Sequence, residues 1–582
     1  MVPTRFYYVT EFPLNKNGKV DRKLIKKNLV EIEADELSNP EATNSYENIV
    51  REVWKDVLGV EEIGIDENFL ALGGDSISAL RVVSKLNDHG ISISVQDLYL
   101  FLTIRGMADW IINNSEISLK GMQDFYPPSN GYVNLSPIQK WFFQKYINGE
   151  NHFSQTWYFG LKNRIESRVI EDIFKRLIEY HDILRSKVII SEEEPGLWIN
   201  EEIINDFFSE VKTDATFGSK EVHHYINQAQ NDISIIDGRM IRVLFFTGEG
   251  IQSIAVIIHH LVVDGISWRI LFQDFVNILS NSTFTLPPRT LSFQDWTKAQ
   301  GEFVYSSDLK QEVEFWKTQM SESFQKIAPE NIQRIEKVKD REFRRIQFES
   351  DVFEKLSEYS LNLSLSNLQD LFIAIVLLAV KRTYGLNTYK LYLEGHGRES
   401  LGKEMNISRT VGWFTSLYPL LFSIGDGETI DGMISIVNSK LREVKRGGAV
   451  FGMLKYLTEH LNIDFAEPEM CFNYLGNYDE GTIDEFLVYD ASSAWSSINP
   501  DSVSPFKLEI IALVLNRKLE FRVFYNSKEF NTETILRFLE SIENIVKEAV
   551  VLSESFGKGK NFLSGFTVGD LDSEELDELF EK

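Results

Sequence analysis

A small all-α bundle followed by a two-lobed α/β domain is the fold class that this sequence predicts, and three observations predict it. Between Asn44 and Ile112 the apolar residues recur at helical spacing. From residue 132 onward the chain alternates helical and strand patterns over about 420 residues, too many for one core, which predicts a lobe boundary within 280–340, near residue 300. Between the two zones lies a linker, 114–131, with Pro127-Pro128 as its stiff element.

The elements follow in order. Residues 1–30 read as a short β-turn-β piece that runs into the basic helix start VDRKLIKKNLV, with Asn17-Gly18 supplying the turn dipeptide that favours positive φ. So short a piece has no core of its own, and it reads as the end of a larger domain. Residues 31–43 are acidic and poor in large apolar groups, a linker. In 44–113, Tyr46, Ile49, Val50, Val53, Trp54, Val57 and Leu58 share one helical face, closed by Gly59. The loop GIDENFLALGGDS leads into a second amphipathic helix carrying Ile77, Leu80, Val83 and Leu86, and a third helical stretch covers Val95–Ile112. In 132–553 the clear helices are Ser167–Tyr180, Leu365–Tyr384 and Thr532–Ser553, and the clear strands are Ile241–Thr247 and Ser253–Ile258, joined by the turn Gly248–Gly250. The N-lobe covers about 132–300 and the C-lobe about 301–553 on this reading. Residues 554–582 form a terminal linker or docking segment, acidic, with Leu571, Leu576 and Leu579-Phe580 as an apolar stripe.

Composition excludes several function classes. Hydrophobic residues make up 43% and charged residues 25% of 582, the balance of a soluble globular protein. Acidic residues outnumber basic ones by 87 to 60, and a net charge of -27 repels phosphate backbones, which excludes nucleic acid as a partner. One cysteine, Cys471, permits neither an intramolecular disulfide nor a cysteine-cluster zinc site. The first residues lack the apolar core of a secretory signal, and the longest apolar run, Leu371–Val380, is about half of what a bilayer span needs. The expectation is a cytoplasmic monomer with no membrane contact.

The loop DENFLALGGDSIS places Ser76 just after a Gly-Gly turn at the first residues of a helix. Helix N-termini favour phosphate because their free N–H groups point outward. A serine there is often only an N-cap, but this spacing is more restrictive. The segment resembles the peptidyl carrier domains of nonribosomal peptide synthetases, matched at Glu67, Phe69, Leu72, Gly73, Gly74 and Ser76, with Leu70 in place of a second Phe. The resemblance implies a four-helix carrier bundle in which Ser76 bears a covalent 4′-phosphopantetheine, attached by a phosphopantetheinyl transferase. An Asp before the Ser, here Asp75, is typical of carriers that feed an epimerization domain. The run Pro13-Leu14-x-x-Asn17-Gly18-Lys19-Val20-Asp21-Arg22 is similar to the last motif of an adenylation domain, which makes that domain the upstream partner and leaves Lys19 a remnant with nothing to act on.

The second motif is His259-His260-x-x-x-Asp264-Gly265, directly after the apolar strand SIAVII. Successive strand side chains point to opposite faces, so only one of the two histidines can face a given cavity. A lone buried His is usually a hydrogen-bonded core residue, and metal ligation is a second possibility. The full pattern resembles the two-lobed, chloramphenicol-acetyltransferase-like fold of condensation and epimerization domains. That resemblance implies His260 in a tunnel between the lobes, with His259 and Asp264 as supporting residues. Further motifs are similar to the epimerization version: Ile266-Ser267-Trp268-Arg269 after the glycine, Glu394-Gly395-His396-Gly397-Arg398-Glu399, the run from Arg409 through Trp413 to Pro419, and Phe472-Asn473-Tyr474 with Asn477-Tyr478 for the more usual Gln-Phe. Leu135–Phe143 and His181–Arg185 fit the shared amino-terminal motifs. One stretch departs: in KRGGAVFG, Lys445, Val450 and Phe451 replace the family's Pro, Gly and Tyr, which leaves the local backbone geometry open.

Inverting an α-carbon requires a base on one face, an acid on the other and a donor for the enolate oxygen. The resemblance assigns the first two roles to His260 and Glu394, in an order that the sequence leaves open, and makes Tyr474 a third participant by its place in its motif. Arg398, Trp413 and Asn473 are supporting residues. Glu394 could instead be a salt-bridge partner of Arg398, although the intervening Gly-His-Gly opposes a helix. A metal would recruit His259, His260, His396 and Glu394, but their spacing fits no zinc motif, and no nicotinamide, flavin or pyridoxal signature is apparent. The expected reaction is a metal- and pyridoxal-free L-to-D epimerization of an aminoacyl or peptidyl thioester, feeding a downstream condensation domain in cis or in trans. The rivals are an amide-forming condensation domain and a non-catalytic docking scaffold.

Overall fold

The computed structural model describes residues 126–556 apart from short stretches (among them 331–336, 479–486 and 490–497), most of 44–113, and the strands β1 (Tyr7–Tyr8) and β2 (Val30–Glu31). β1 and β2 pair antiparallel. The Asn17-Gly18 turn, Asp75 and the stripe at 571–580 lie outside the described residues.

Helix α1 (Ser45–Leu58) starts where the Asn44 side chain accepts from the Glu47 N–H at 2.8 Å and the Glu47 carboxylate answers the Asn44 N–H. It stops at Gly59, which takes φ 68°. α2 (Ser76–Asp88) and α3 (Ile104–Asn113) complete a core of Val50, Val53, Trp54, Phe69, Val82, Leu86 and Ile111. Of the expected third helix, 95–112, the continuous described helix begins only at Ile104. The hydroxyl of Thr103 accepts the Gly106 N–H and starts α3, while Leu102 gives its carbonyl to Phe69 N–H at 2.8 Å and Arg105 N–H reaches Ile65. Backbone bonds thus tie Leu102 and Arg105 to the loop before Ser76.

The described residues from 126 onward form two lobes. The first runs β3 (Gly131–Val133), α4 (Pro137–Lys145), β4 (Ser154–Leu161), α5 (Ser167–Tyr180), β5 (Ser186–Ile190), β6 (Pro195–Ile199), β7 (Phe208–Lys212), α6 (Lys220–Asn231), β8 (Ile241–Thr247), β9 (Ser253–His259), α7 (Gly265–Ser280) and α8 (Phe293–Phe303). The second comprises α9 (Lys310–Ser321), β10 (Arg341–Phe348), α10 (Ser350–Asn362), α11 (Leu368–Tyr384), β11 (Thr388–Gly395), β12 (Ser416–Ser423), α12 (Ile430–Glu443), α13 (Ala449–Tyr456), β13 (Met470–Tyr478), β15 (Leu508–Leu515), β16 (Lys518–Asn526) and α14 (Thr532–Phe556); β14 (Leu487–Tyr489) lies within this stretch of chain but joins the first lobe.

The first lobe's sheet has the order β14-β4-β9-β8-β7, so its edge strand β14 comes from the second half of the chain. The second lobe's sheet is β10-β16-β15-β13-β11-β12, with β13 parallel to both neighbours. Every residue of Leu371–Val380 is buried, because α11 is packed among α12, α14 and the second sheet. The longest apolar run of the sequence is therefore a core helix, and no helix among the described residues is long and apolar enough to cross a membrane. Trp296 and Val304 pack in the first core and Leu309 and Trp316 in the second, so the chain changes cores between Val304 and Leu309.

The departing stretch at 445–452 is a tight turn in which Arg446, Gly447 and Gly448 take φ 49°, 50° and 75°. Arg446 carries this uncommon conformation while its guanidinium pairs with Glu312 and lies over the Phe303 ring. Val450 and Phe451 are fully buried, and Phe451 meets Trp316 at 5.2 Å, so the replacements fill the core.

Candidate active site

The two histidines part company as the strand pattern requires. His259, the last residue of β9, is fully buried and its Nδ1 accepts the Leu261 N–H at 3.1 Å. His260 begins the turn beyond it and faces the rings of Phe153 and Trp413, at 5.3 and 4.4 Å between centroids. Its Nδ1 lies 2.8 Å from the Val263 carbonyl, and its Nε2 lies 2.9 Å from the side-chain nitrogen of Gln155 on β4. Burial among these rings pushes the imidazole below its ordinary pKa, against the opposing pull of Asp264.

Asp264 caps α7 by accepting the Ser267 N–H at 2.7 Å and also takes the Phe414 N–H at 3.1 Å. Its charge is met by Arg398, whose Nη2 lies 3.2 and 3.3 Å from the two carboxylate oxygens. Arg398 further donates to the carbonyls of Ile407 and Thr410 and stacks 3.7 Å from the Phe414 ring. Asp264 is four residues after His260 and Arg398 four after Glu394, so one buried ion pair ties together the loops that follow the two groups.

Glu394 stands near the end of β11, where Tyr392 pairs with Cys471 of the parallel strand β13. Alternation places Tyr392 and Glu394 of β11 on the same face as Cys471 and Asn473 of β13. The Asn473 amide donates to Glu394 at 2.6 Å and the Cys471 thiol donates to its other oxygen at 3.8 Å. Burial, and then the carboxylate of Glu509, push Glu394 up to about 7, against those two donors. Glu509 itself pairs with Arg341. The alternative pairing of Glu394 with Arg398 is not made, since Arg398 is taken by Asp264.

One glycine makes room here. Gly397 takes φ 68°, and a Cβ there would collide with the Phe414 carbonyl. Gly397→Ala is therefore expected to cost on the order of 1–3 kcal/mol, read as a lower urea midpoint of the large domain.

Tyr474 does not join the constellation. It shares the opposite face of β13 with Phe472, toward α11, and its ring meets Phe372 at 5.1 Å. The residue of that motif that reaches Glu394 is Asn473. His396 accepts the Arg398 N–H at 3.0 Å and approaches Glu399 at 3.5 Å. Among the described residues, no group of three or more His, Cys, Asp and Glu is arranged to hold a metal ion. His181 lies elsewhere, buried against Asp274, which Arg409 also neutralises. Sequence reasoning missed Gln155, Cys471 and Glu509. Cys471 was findable: it stands two residues before Asn473 on a strand and so shares its face. Gln155 lies in no motif singled out above.

Ser76 is the first residue of α2, and Gly74 two residues before it bonds its N–H to the Phe69 carbonyl at 2.9 Å. A Cβ at Gly74 would collide with the Phe69 ring, so the backbone comes close to Phe69 just before the helix. A serine at a helix N-terminus fits a phosphodiester, whose charge the free N–H groups favour.

The profile of the condensation-domain family matches residues 129–567, and that of the phosphopantetheine attachment site matches residues 48–111. Bacitracin synthase 2 of Bacillus licheniformis is 30% identical over 594 residues, and tyrocidine synthase 1 of Brevibacillus parabrevis 29% over 605; each alignment takes in 100% of this chain, but 22% and 55% of those proteins. Surfactin synthase subunit 2 of Bacillus subtilis is 29% identical, with 16% of its length covered, so the chain spans only part of the curated relatives it matches. Among solved structures, the epimerization domain from the third module of tyrocidine synthetase B is similar at a TM-score of 0.68 and 26% identity, covering 74% of this chain and 99% of that one. The condensation domain of a monacolin K polyketide synthase shares the fold at a TM-score of 0.61 and 14% identity, covering 73% and 98%.

Proposed function

The chain belongs to the condensation-domain family, joined to a phosphopantetheine attachment domain of the nonribosomal peptide synthetase type, and from that premise we propose that its large domain is an epimerase acting on a carrier-bound thioester. The observation that carries the reading is Glu394. Amide formation in this fold calls for one acid–base group beside the amine, whereas inversion at carbon calls for two. Glu394 is a second such group, raised to about 7, while His260 is lowered from 6.5. A carboxyl that changes protonation near neutrality is suited to pass protons in both directions. Likeness to the epimerization domain supports the same choice.

When attached to Ser76, the phosphopantetheine supplies a flexible arm and a thioester whose carbonyl acidifies the α-hydrogen. The protein's residues do the rest. His260 Nε2 and the Glu394 carboxyl are the proton acceptor and donor, and the proton one takes from the α-carbon is answered by a proton from the other on the opposite face. Asn473 and Cys471 aim the carboxyl, and the Asp264–Arg398 pair holds the two loops in register. A phosphopantetheinyl transferase, an upstream adenylation domain and a downstream condensation domain are the partners of this reading. Its test is hydrogen exchange at the α-carbon. The full chain is loaded on Ser76 with a panel of L-aminoacyl and dipeptidyl pantetheines in deuterated buffer, and the released acid is weighed and its configuration read. Uptake of one deuteron with D product supports epimerization. Amide formation with an added amine in its place assigns condensation, and neither reaction with loading complete assigns a docking scaffold.

The rate of exchange is expected to be bell-shaped in pH. It rises as the pH climbs through the lowered His260 value, because the imidazole must be neutral to accept a proton. It falls above about 7, as Glu394 loses the proton it must give. Single-turnover rates between pH 5 and 9 check both limbs.

A further inference from the structure

We propose that Trp268 and Gln155 are positioning residues that hold His260 with its proton on Nδ1, so that Nε2 is the unprotonated nitrogen, its lone pair held by the Gln155 amide until substrate takes that place. The inference rests on the reading of His260 as an acid–base group.

The argument is a closed circuit of hydrogen bonds in which each link leaves one choice for the next. The Trp268 indole N–H can only donate, and it lies 2.6 Å from Gln155 Oε1. That fixes the orientation of the amide: turned over, its NH2 would face the indole N–H, donor against donor. The Gln155 NH2 therefore points at His260 Nε2, 2.9 Å away, and must donate to it. On the far side of the ring the Val263 carbonyl can only accept, so Nδ1 carries the hydrogen. A neutral ring satisfies every group, and a charged one would set Nε2–H against the Gln155 NH2. The circuit is rigidly supported. Trp268 is buried and stacks on Trp157 at 5.2 Å and 13°, and Gln155 is a strand residue paired with Ile258 of β9.

The charged groups that bear on His260 do not upset this arrangement. Asp264 is the acidic one, and its charge is spent on Arg398. From the other elements the ring meets the uncharged Phe153 and Trp413. Once His260 has taken a proton, the Gln155 N–H opposes it, and the amide cannot turn without breaking its bond to Trp268. The pair thus keeps His260 neutral in the resting protein and favours prompt return of a proton once taken.

The test reads the tautomer directly. The full chain, labelled with 15N-histidine and left without phosphopantetheine, is examined by NMR at pH 7.5, and the His260 signals are identified by their loss in His260→Asn. The expected wild-type pattern is a protonated Nδ1 and a bare Nε2. Trp268→Phe keeps the ring against Trp157 but frees the amide, and a mixture of tautomers is expected. A wild-type Nε2–H form, or an unchanged pattern in Trp268→Phe, would overturn the proposal. Gln155→Glu supplies a second readout in loaded protein. A carboxylate beside Nε2 favours the imidazolium, so the acid limb of the exchange profile should move up by about one pH unit, roughly a tenfold loss of rate on that limb. An unmoved limb, with thermal melting unchanged, counts against the assignment. If wild-type protein shows the expected tautomer but no exchange with any probe, the epimerase reading fails and the positioning of His260 stands.

Discussion

Glu394→Gln is expected to abolish α-hydrogen exchange and at the same time make the protein more stable above pH 7. The loss follows from the chemistry, since removing a positioned general acid–base group costs about 10²–10⁴-fold in rate. The gain follows from linkage. Glu394 is raised from 4.5 to about 7 by burial and by the Glu509 charge, so the folded protein holds its proton more tightly than the unfolded chain does. Stability attached to this group is intact at low pH, erodes as pH rises above 4.5 and is fully lost above about 7. The glutamine has no charge to desolvate and keeps an oxygen for the Asn473 amide. Removing the carboxylate is therefore expected to return on the order of 3 kcal/mol at pH 8 and little at pH 4. Urea titrations of the two proteins at both pH values check it. A glutamine variant that is less stable at pH 8 would mean that the carboxylate is ionised and well paired in the fold, and the acid–base role would lose its physical basis.

Asp264→Ala is expected to be the most destabilising single change near the site. The carboxylate accepts from Ser267, Phe414 and Arg398. Its loss strands a buried guanidinium whose remaining partners are two carbonyls, the Ser267 hydroxyl and an aromatic ring. Breaking a buried pair from one side costs about 3–5 kcal/mol. The urea midpoint of the large domain should drop accordingly, while loading of Ser76 by a phosphopantetheinyl transferase is unchanged, because the α1–α3 bundle has a core of its own. A small effect on stability with complete loss of exchange would instead make Asp264 a participant in the chemistry.

How far the fold and site could be read beforehand varied with the kind of signal. Helix Ser167–Tyr180 and strand Ile241–Thr247 match their expected bounds, because the apolar period is local information. The 95–112 stretch misled because the bonds that fix Leu102 and Arg105, where α3 begins, come from Phe69 and Ile65, more than thirty residues away in sequence. At the site, motifs located His260, Asp264, Glu394, Arg398 and Asn473, yet a motif does not say which of its side chains faces inward. Tyr474 and Asn473 are adjacent, and the strand's alternation sends them to opposite faces. The partner of Arg398 was illegible for the same reason that the role of Gln155 was. Asp264 and Gln155 are more than a hundred residues from the groups they touch, and only the packing of β4, β9 and β11 brings them together.

The late edge strand of the first lobe bears on how the protein is made. β14 pairs with β4, about 330 residues earlier in the chain, and at roughly 5–20 residues per second a ribosome needs about 15–65 s to supply it. Throughout that interval β4, an apolar strand carrying Tyr158 and Phe159, is the open border of a half-built sheet. Unpaired strand borders invite pairing with other nascent chains. Yield in a heterologous host should therefore depend on elongation speed and chaperone supply over residues 162–489 more than on the stability of the finished fold.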